Sequence, residues 1–147
     1  MWEVDTIKDK DHQQWLLMRH RLWPESELEE LAQEIKAIAK QPDTQPVFVV
    51  RNSQQEVIGF LEASLRDYVD GCKSSPVPFI EGIYVKPNHR HQGVGKALVE
   101  TMITWAKNQG FIEIASDTTF ENTLSQTVHQ HLGFEAIERI IIWRKSI

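Results

Sequence analysis

The chain has 147 residues, 41% of them hydrophobic and 25% charged, which fits one domain around one core and leaves no room for a second. Sixteen basic against 21 acidic side chains give a net charge of −5, a balance that argues against a nucleic-acid partner and permits a cationic one. No run of about 18 apolar residues could cross a bilayer. The opening MWEVDTIKDKDHQQW lacks the basic head and apolar stretch of a secretory signal, and Cys72 has no second cysteine to pair with, so a cytoplasmic home is expected.

In chain order, a short strand is expected near Trp2 to Ile7. A helix follows from Asp11 to Trp23, with Asp11 as its N-cap and Trp15, Met18 and Leu22 on one face. Pro24 ends it. Leu28, Leu31, Ala32, Ile35 and Ile38 mark a second amphipathic helix to about Lys40. After the breaker PDTQP, VFVVR and EVIGFLEASLR read as two strands of a hairpin joined by NSQQ. The loop RDYVDGCKSSPVP leads into a strand, PFIEGIYVK. A helix spans Val94 to Lys107, IEIAS is a strand, ENTLSQTVHQHL a helix and FEAIERIIIWRK a last strand. The class is mixed α/β in a single domain, without repeats or linkers.

NHRHQGVGKALVE joins a strand to an apolar helix. The first four amides of a helix lack intrahelical partners, and the aligned peptide dipoles leave positive charge there. Gly93 and Gly95 have no Cβ, so a phosphate could approach the backbone closely. A Walker loop is excluded because Gly93 lies only two residues before Gly95 and Ala97 follows Lys96. A Rossmann turn is excluded because the third glycine is missing. The plain alternative is a helix start whose glycines serve close packing. The histidines do not form a metal pattern: His89 and His91, and His129 and His131, are two apart, which does not place both rings on one helical face. No metal is expected.

The motif RxxGxG (Arg90, Gly93, Gly95) after a strand, followed by helix, strand and a helix ending in LGF, resembles the GNAT superfamily of acetyl-CoA-dependent N-acyltransferases over essentially the whole chain. The resemblance implies a central, mostly antiparallel twisted sheet, split at the acetyl-CoA site and flanked by about four helices. It implies that His91, Gln92, Gly93, Val94, Gly95 and Lys96 hold the coenzyme A pyrophosphate, that Ile83, Tyr84 and Val85 offer backbone groups to the pantetheine arm, and that Asn122 contacts the cofactor. Many members carry a tyrosine as general acid where this chain has His129; a neutral imidazole does not donate as a phenol does, which leaves the acid unassigned.

RHRLWPES, SLRDYVDGCKSSPV, FIEGIYVKP and ASDTTFENTLSQTVHQHLGF look more specifically like aminoglycoside 6'-N-acetyltransferases of resistant bacteria. That resemblance implies an acceptor with several ammonium groups, for which carboxylates are the fitting wall. Glu81 is expected as the base that takes the amine's proton, with Phe79, Glu81 and Ile83 on one strand face. Its alternative is a buried salt bridge. Asp117 is the second candidate base and an ammonium clamp, or else an N-cap. Trp23 and Tyr68 resemble the positions that meet the sugar rings, Asp67 and Asp70 flank Tyr68, and Glu138 completes the acceptor set. A catalytic Cys72 is not expected. The apolar IERIIIWRK fits pairing with a second copy, hence a homodimer, or else a strand inside the sheet. Two other classes stay open: an acetyltransferase for another amine, and a non-catalytic coenzyme A sensor.

Overall fold

The computed structural model describes residues 2–147. Its sheet follows chain order, with β1 (Val4–Thr6), β2 (Val47–Arg51), β3 (Val57–Arg66) and β4 (Val77–Val85) each antiparallel to the next. The expected hairpin is β2 and β3. VFVV is apolar at every position because both faces of β2 are covered. Val47 and Val49 pack with Trp15 and Met18 of α1 (His12–Leu22) and Ile35 of α2 (Leu28–Ala39). Phe48 and Val50 pack with Leu98, Val99 and Met102 of α3 (Val94–Asn108). Each fully buried side chain of the size of Leu98 contributes about 1.5–3 kcal/mol.

Proline chemistry sets the exit of α1. A residue before proline is pushed out of the helical region, and Trp23, before Pro24, takes φ −123° and ψ 69°. Asp11 does stand at the N-cap of α1, but its carboxylate caps no helical amide. It is 1% exposed and accepts from the Lys8 amide and the Arg51 guanidinium instead, because a buried charge is better met by an opposite charge than by a neutral donor.

Three further expectations on strands are corrected. In β4, Glu62 pairs with Gly82 and Ala63 with Ile80, so Glu81 is the extra residue of a β-bulge. The bulge breaks the alternation. Ile83 leaves the face that Phe79 and Glu81 share: Ile80 and Ile83 both pack toward α3, while Phe79 joins Val77 and Ala115 in a separate cluster and, like Glu81, meets Arg66. IEIAS contributes only a parallel bridge, with Ala115 bonded to Pro78 and Ile80 at 2.9 Å. From Glu81 to Val85 no strand pairs with the outer edge of β4 among the described residues, which leaves the sheet open there. FEAIERIIIWRK forms no strand, and residues 135–147 are exposed throughout, since no strand of the described chain lies alongside to complete its hydrogen bonds.

Candidate active site

The glycine turn carries two left-handed residues, His91 at φ 60° and Gly93 at φ 86°. Gly93 is the N-cap of α3, and no side chain caps the helix. The first amide to bond within it is that of Ala97, to the Gly93 carbonyl at 3.0 Å, so the amides before it are donors available to a ligand. A Cβ on Gly93 or Gly95 would meet nothing within 4 Å. The glycines are therefore not there for close packing: Gly93 answers a backbone angle, and Gly95 keeps the helix mouth clear.

The turn is fastened from both sides. Trp2 Nε1 donates to the Gln92 carbonyl at 2.7 Å and Gln92 Nε2 to the Asn88 carbonyl at 3.2 Å. Arg90 donates to the Val85 carbonyl at 2.8 Å and lies 5.4 Å from the Tyr84 ring centre, so its charge ties the turn to β4. Lys96, loosely opposed by Glu100 at 3.9 Å, is the exposed ammonium of the turn. The arrangement suits a pyrophosphate: unbonded amides, a helix end, one exposed ammonium and no filling side chain. A groove of about 700 Å³ along α3 touches the turn at Gln92, Gly93 and Lys96, but none of the candidate acceptor residues lines it.

Twelve residues upstream, the bulge turns Glu81 toward β3. Arg66 grips its carboxylate, Nη2 to Oε1 at 2.7 Å and Nε to Oε2 at 2.9 Å, and the Ser64 hydroxyl donates to Oε2. The guanidinium lies 3.5 Å from the Phe79 ring centre. Desolvation pushes the Glu81 carboxyl up, but the bonds from Arg66 and Ser64 and the Arg66 charge outweigh it, and the net shift is downward. Arg66 is raised, first by its bond to Glu81 and in part by the charge of Asp117. Asp117 is exposed, and it is not the N-cap of α4 (Thr123–His131): Asn122 is, with Oδ1 accepting from the Ser125 amide at 3.1 Å. That cap leaves the Asn122 Nδ2 donors outside the bond.

Trp23 reaches the same strand. Its ring lies against Gly82, the neighbour of Glu81, with the Arg19 guanidinium 4.9 Å from its centre. Tyr68 and Glu138 form a second group. The Tyr68 hydroxyl donates to Asp70 at 3.1 Å, and its pKa is raised by that bond and charge, with Glu138 adding to it. Ile137 packs over Gly71 of this loop. Arg66, Ser64 and Gly82 were not singled out from sequence. Period 2 in SLR and FIEG does put Ser64 and Arg66 on one face of β3 and Phe79 and Glu81 on one face of β4; the cross-strand pairing of Arg66 with Glu81 depends on the bulge and could not be read from it.

His129 is committed to the fold. Its Nδ1 donates to the Ser125 carbonyl at 2.7 Å, which leaves Nε2 to accept from the Ser116 hydroxyl at 2.9 Å, and its ring packs edge-on against Phe134. The Cys72 thiol is pushed up by desolvation and then by Glu113, which weakens it as a nucleophile.

Residues 10–134 match the acetyltransferase (GNAT) family. An aminoglycoside N(6')-acetyltransferase type 1 of Salmonella typhimurium is 57% identical over 89 residues, which take in 60% of this chain and 61% of that protein's length. Another, of Acinetobacter genomosp. 13, is 41% identical over 134 residues, 90% of each chain. The solved structure of AAC(6')-Iy in complex with the bisubstrate analog CoA-S-monomethyl-acetylneamine superposes with a TM-score of 0.92 at 40% identity, covering 100% of this chain and 99% of that one. AAC(6')-Ih from Acinetobacter baumannii gives 0.90 at 36% identity, covering 100% and 99%.

Proposed function

Because the chain belongs to the acetyltransferase (GNAT) family, we propose that it transfers acetyl from acetyl-CoA to an amino group of aminoglycoside antibiotics, at the 6' position, and so confers resistance. The observation that carries this reading is the placement of an open, amide-lined glycine turn at one end of β4 and a carboxylate on a bulge in the same strand. The relatives named for this activity and the bisubstrate complex of AAC(6')-Iy support the choice of acceptor.

His91, Gln92, Gly93, Val94, Gly95 and Lys96 hold the pyrophosphate through amides and one ammonium. Ile83, Tyr84 and Val85 present the unpaired edge of β4 to the pantetheine arm, and Asn122 offers its free amide donors. Acetyl-CoA supplies a thioester carbonyl to the attacking amine, and the coenzyme departs as a thiolate; thiols are acidic enough, about 8.5 for the cysteine side chain, to leave without a dedicated acid. That matches the engagement of both ring nitrogens of His129. Glu81 takes the proton the amine must lose, directly or through one water. Asp117, Glu138, Trp23 and Tyr68 receive the ammonium groups and sugar rings. Acetylation removes positive charge from the antibiotic and weakens its hold on RNA phosphates.

The Arg66 fork on Glu81 favours one variant, in which Asp117 is the base and Glu81 a wall of the pocket. Glu81→Gln and Asp117→Asn proteins decide between them: the base is the residue whose loss lowers kcat about a hundredfold or more while the Kd for acetyl-CoA is unchanged. The acceptor is tested by offering aminoglycosides, polyamines and peptides and following thiol release from acetyl-CoA. Release with kanamycin and not with the others is expected; no release with any aminoglycoside overturns the reading. The protein acts in the bacterial cytoplasm, where acetyl-CoA is made and the lone Cys72 stays reduced. It acts as a homodimer joined through the apolar segment 137–143.

A further inference from the structure

Gly82 stands in the middle of β4, where glycine weakens a strand. Its φ is not positive, unlike that of Gly71, Gly93, Gly110 and Gly133, so the backbone does not require glycine there. The space does. A Cβ on Gly82 would lie 2.7 Å from both Cη2 and Cζ2 of Trp23 and 3.2 Å from Cδ2 of Leu22, closer than carbon atoms approach.

Trp23 is tied at its backbone and on one face of its ring. Its amide bonds the Arg19 carbonyl at 2.8 Å, and Pro24 follows it. The Arg19 guanidinium lies 4.9 Å from its ring centre. Arg19 is held in turn by Glu62, at 2.7 and 3.1 Å, by the Leu31 carbonyl at 3.2 Å and by Glu34 at 3.0 Å. Glu62, which also accepts from Trp15 Nε1 at 2.9 Å, is the register partner of Gly82 on β3. The contacts close a ring: Gly82, Trp23, Arg19, Glu62 and back across the ladder to Gly82. Arg19 and Glu62 are each 4% exposed, so this frame is rigid, and what it positions is an aromatic face one residue from the bulged Glu81.

We infer that Gly82 is a specificity-determining position of the acceptor site, its missing Cβ seating the Trp23 ring on β4 beside Glu81, where it receives the apolar face of a sugar ring. This rests on the aminoglycoside reading for the nature of the acceptor, while the Gly82 and Trp23 coupling does not. A double-mutant cycle of Gly82→Ala and Trp23→Leu tests it, with KM and kcat for an aminoglycoside, Kd for acetyl-CoA and Tm measured on each protein. Gly82→Ala is expected to raise KM for the acceptor about tenfold or more with kcat and acetyl-CoA affinity nearly unchanged, and to add little in the Trp23→Leu background, where the two 2.7 Å contacts are gone and only the 3.2 Å approach to Leu22 remains.

An unchanged KM in Gly82→Ala, or an equal loss in both backgrounds, overturns the inference. If Gly82→Ala does not fold, the double variant must fold; its failure also overturns it. If the unaltered protein acetylates no aminoglycoside, the acceptor reading falls and the coupling is judged on Tm alone, which Gly82→Ala must lower in the native background and leave nearly unchanged beside Trp23→Leu.

Discussion

The guanidinium of Arg66 holds the carboxylate of Glu81 through two parallel bonds of 2.7 and 2.9 Å, and the pairing fixes how the proposed base titrates. The folded pKa of Glu81 is depressed. The stability this contributes is present above the ordinary carboxylate value of about 4.3 and is lost as pH falls through the lower folded value. Glu81 is thus ionised across the neutral range, and the expected rise of kcat/KM with pH there belongs to the acceptor ammonium losing its proton. Arg66→Gln removes the opposing bonds, so the Glu81 carboxyl rises and the acid limb of the kcat/KM profile moves to higher pH. A limb that stays in place shows that Glu81 is not the base. With Glu81 as base, Glu81→Gln lowers kcat about a hundredfold or more.

The cradle makes the opposite kind of prediction, a large binding effect at little cost to folding. A Cβ at Gly95 points into open space, and valine is no worse than glycine in a helix. Gly95→Val is therefore expected to melt within a few degrees of the unaltered protein while its Kd for acetyl-CoA, read by calorimetry, rises about tenfold or more. Unchanged affinity would mean that the pyrophosphate does not approach this turn.

Features that depend on one segment's own chemistry were legible in the sequence. The hairpin of VFVVR and EVIGFLEASLR, the proline stop after Trp23 and the glycine turn before Val94 each follow from local periodicity or backbone freedom. The bulge at Glu81 was not, because a bulge is a mismatch in count between two strands and neither strand carries it alone. The alternation held for Phe79 and Glu81 and failed at Ile83 for that reason, and although a salt bridge at Glu81 was the stated alternative, its partner Arg66 could not be named. Asp117 and Glu138 drew their roles from resemblance; an isolated carboxylate in a loop or tail has no period to read. The Asp11 cap failed differently: position was right, but Arg51, 40 residues away, took the carboxylate.

The Arg19 and Glu62 pair is expected to matter to stability well beyond its size. Both groups are 4% exposed, and Arg19 bonds Glu62, Glu34 and the Leu31 carbonyl. Arg19→Met leaves the Glu62 carboxylate buried without its counter-ion, a loss of about 3–5 kcal/mol. In a chain of this length that lowers Tm by roughly 10 °C or more. Replacing both, Arg19→Met with Glu62→Gln, removes the uncompensated charge and should recover part of the loss. A double variant less stable than Arg19→Met would show that the pair is not the source of the cost.

The last segment argues for the dimer. Ile140, Ile141, Ile142 and Trp143 are 62%, 75%, 85% and 86% exposed, a consecutive apolar run of a kind that soluble monomers seldom leave bare. Its β-branched residues suit a strand, and its unpaired backbone needs one partner strand to complete a ladder. In the proposed homodimer a second copy would supply that partner symmetrically, each segment pairing in the same way with the other chain. Ile137 packs over Gly71 of the loop that carries Tyr68 and Asp70, and the charge of Glu138 reaches Tyr68, so fixing the segment would fix one wall of the proposed acceptor site. Ile141→Lys and Trp143→Lys together are expected to convert a dimer to a monomer in light scattering, to abolish any dependence of Tm on protein concentration, and to raise KM for the aminoglycoside more than Kd for acetyl-CoA. If the unaltered protein already runs as a monomer at micromolar concentration, the segment has another use and the dimer is wrong.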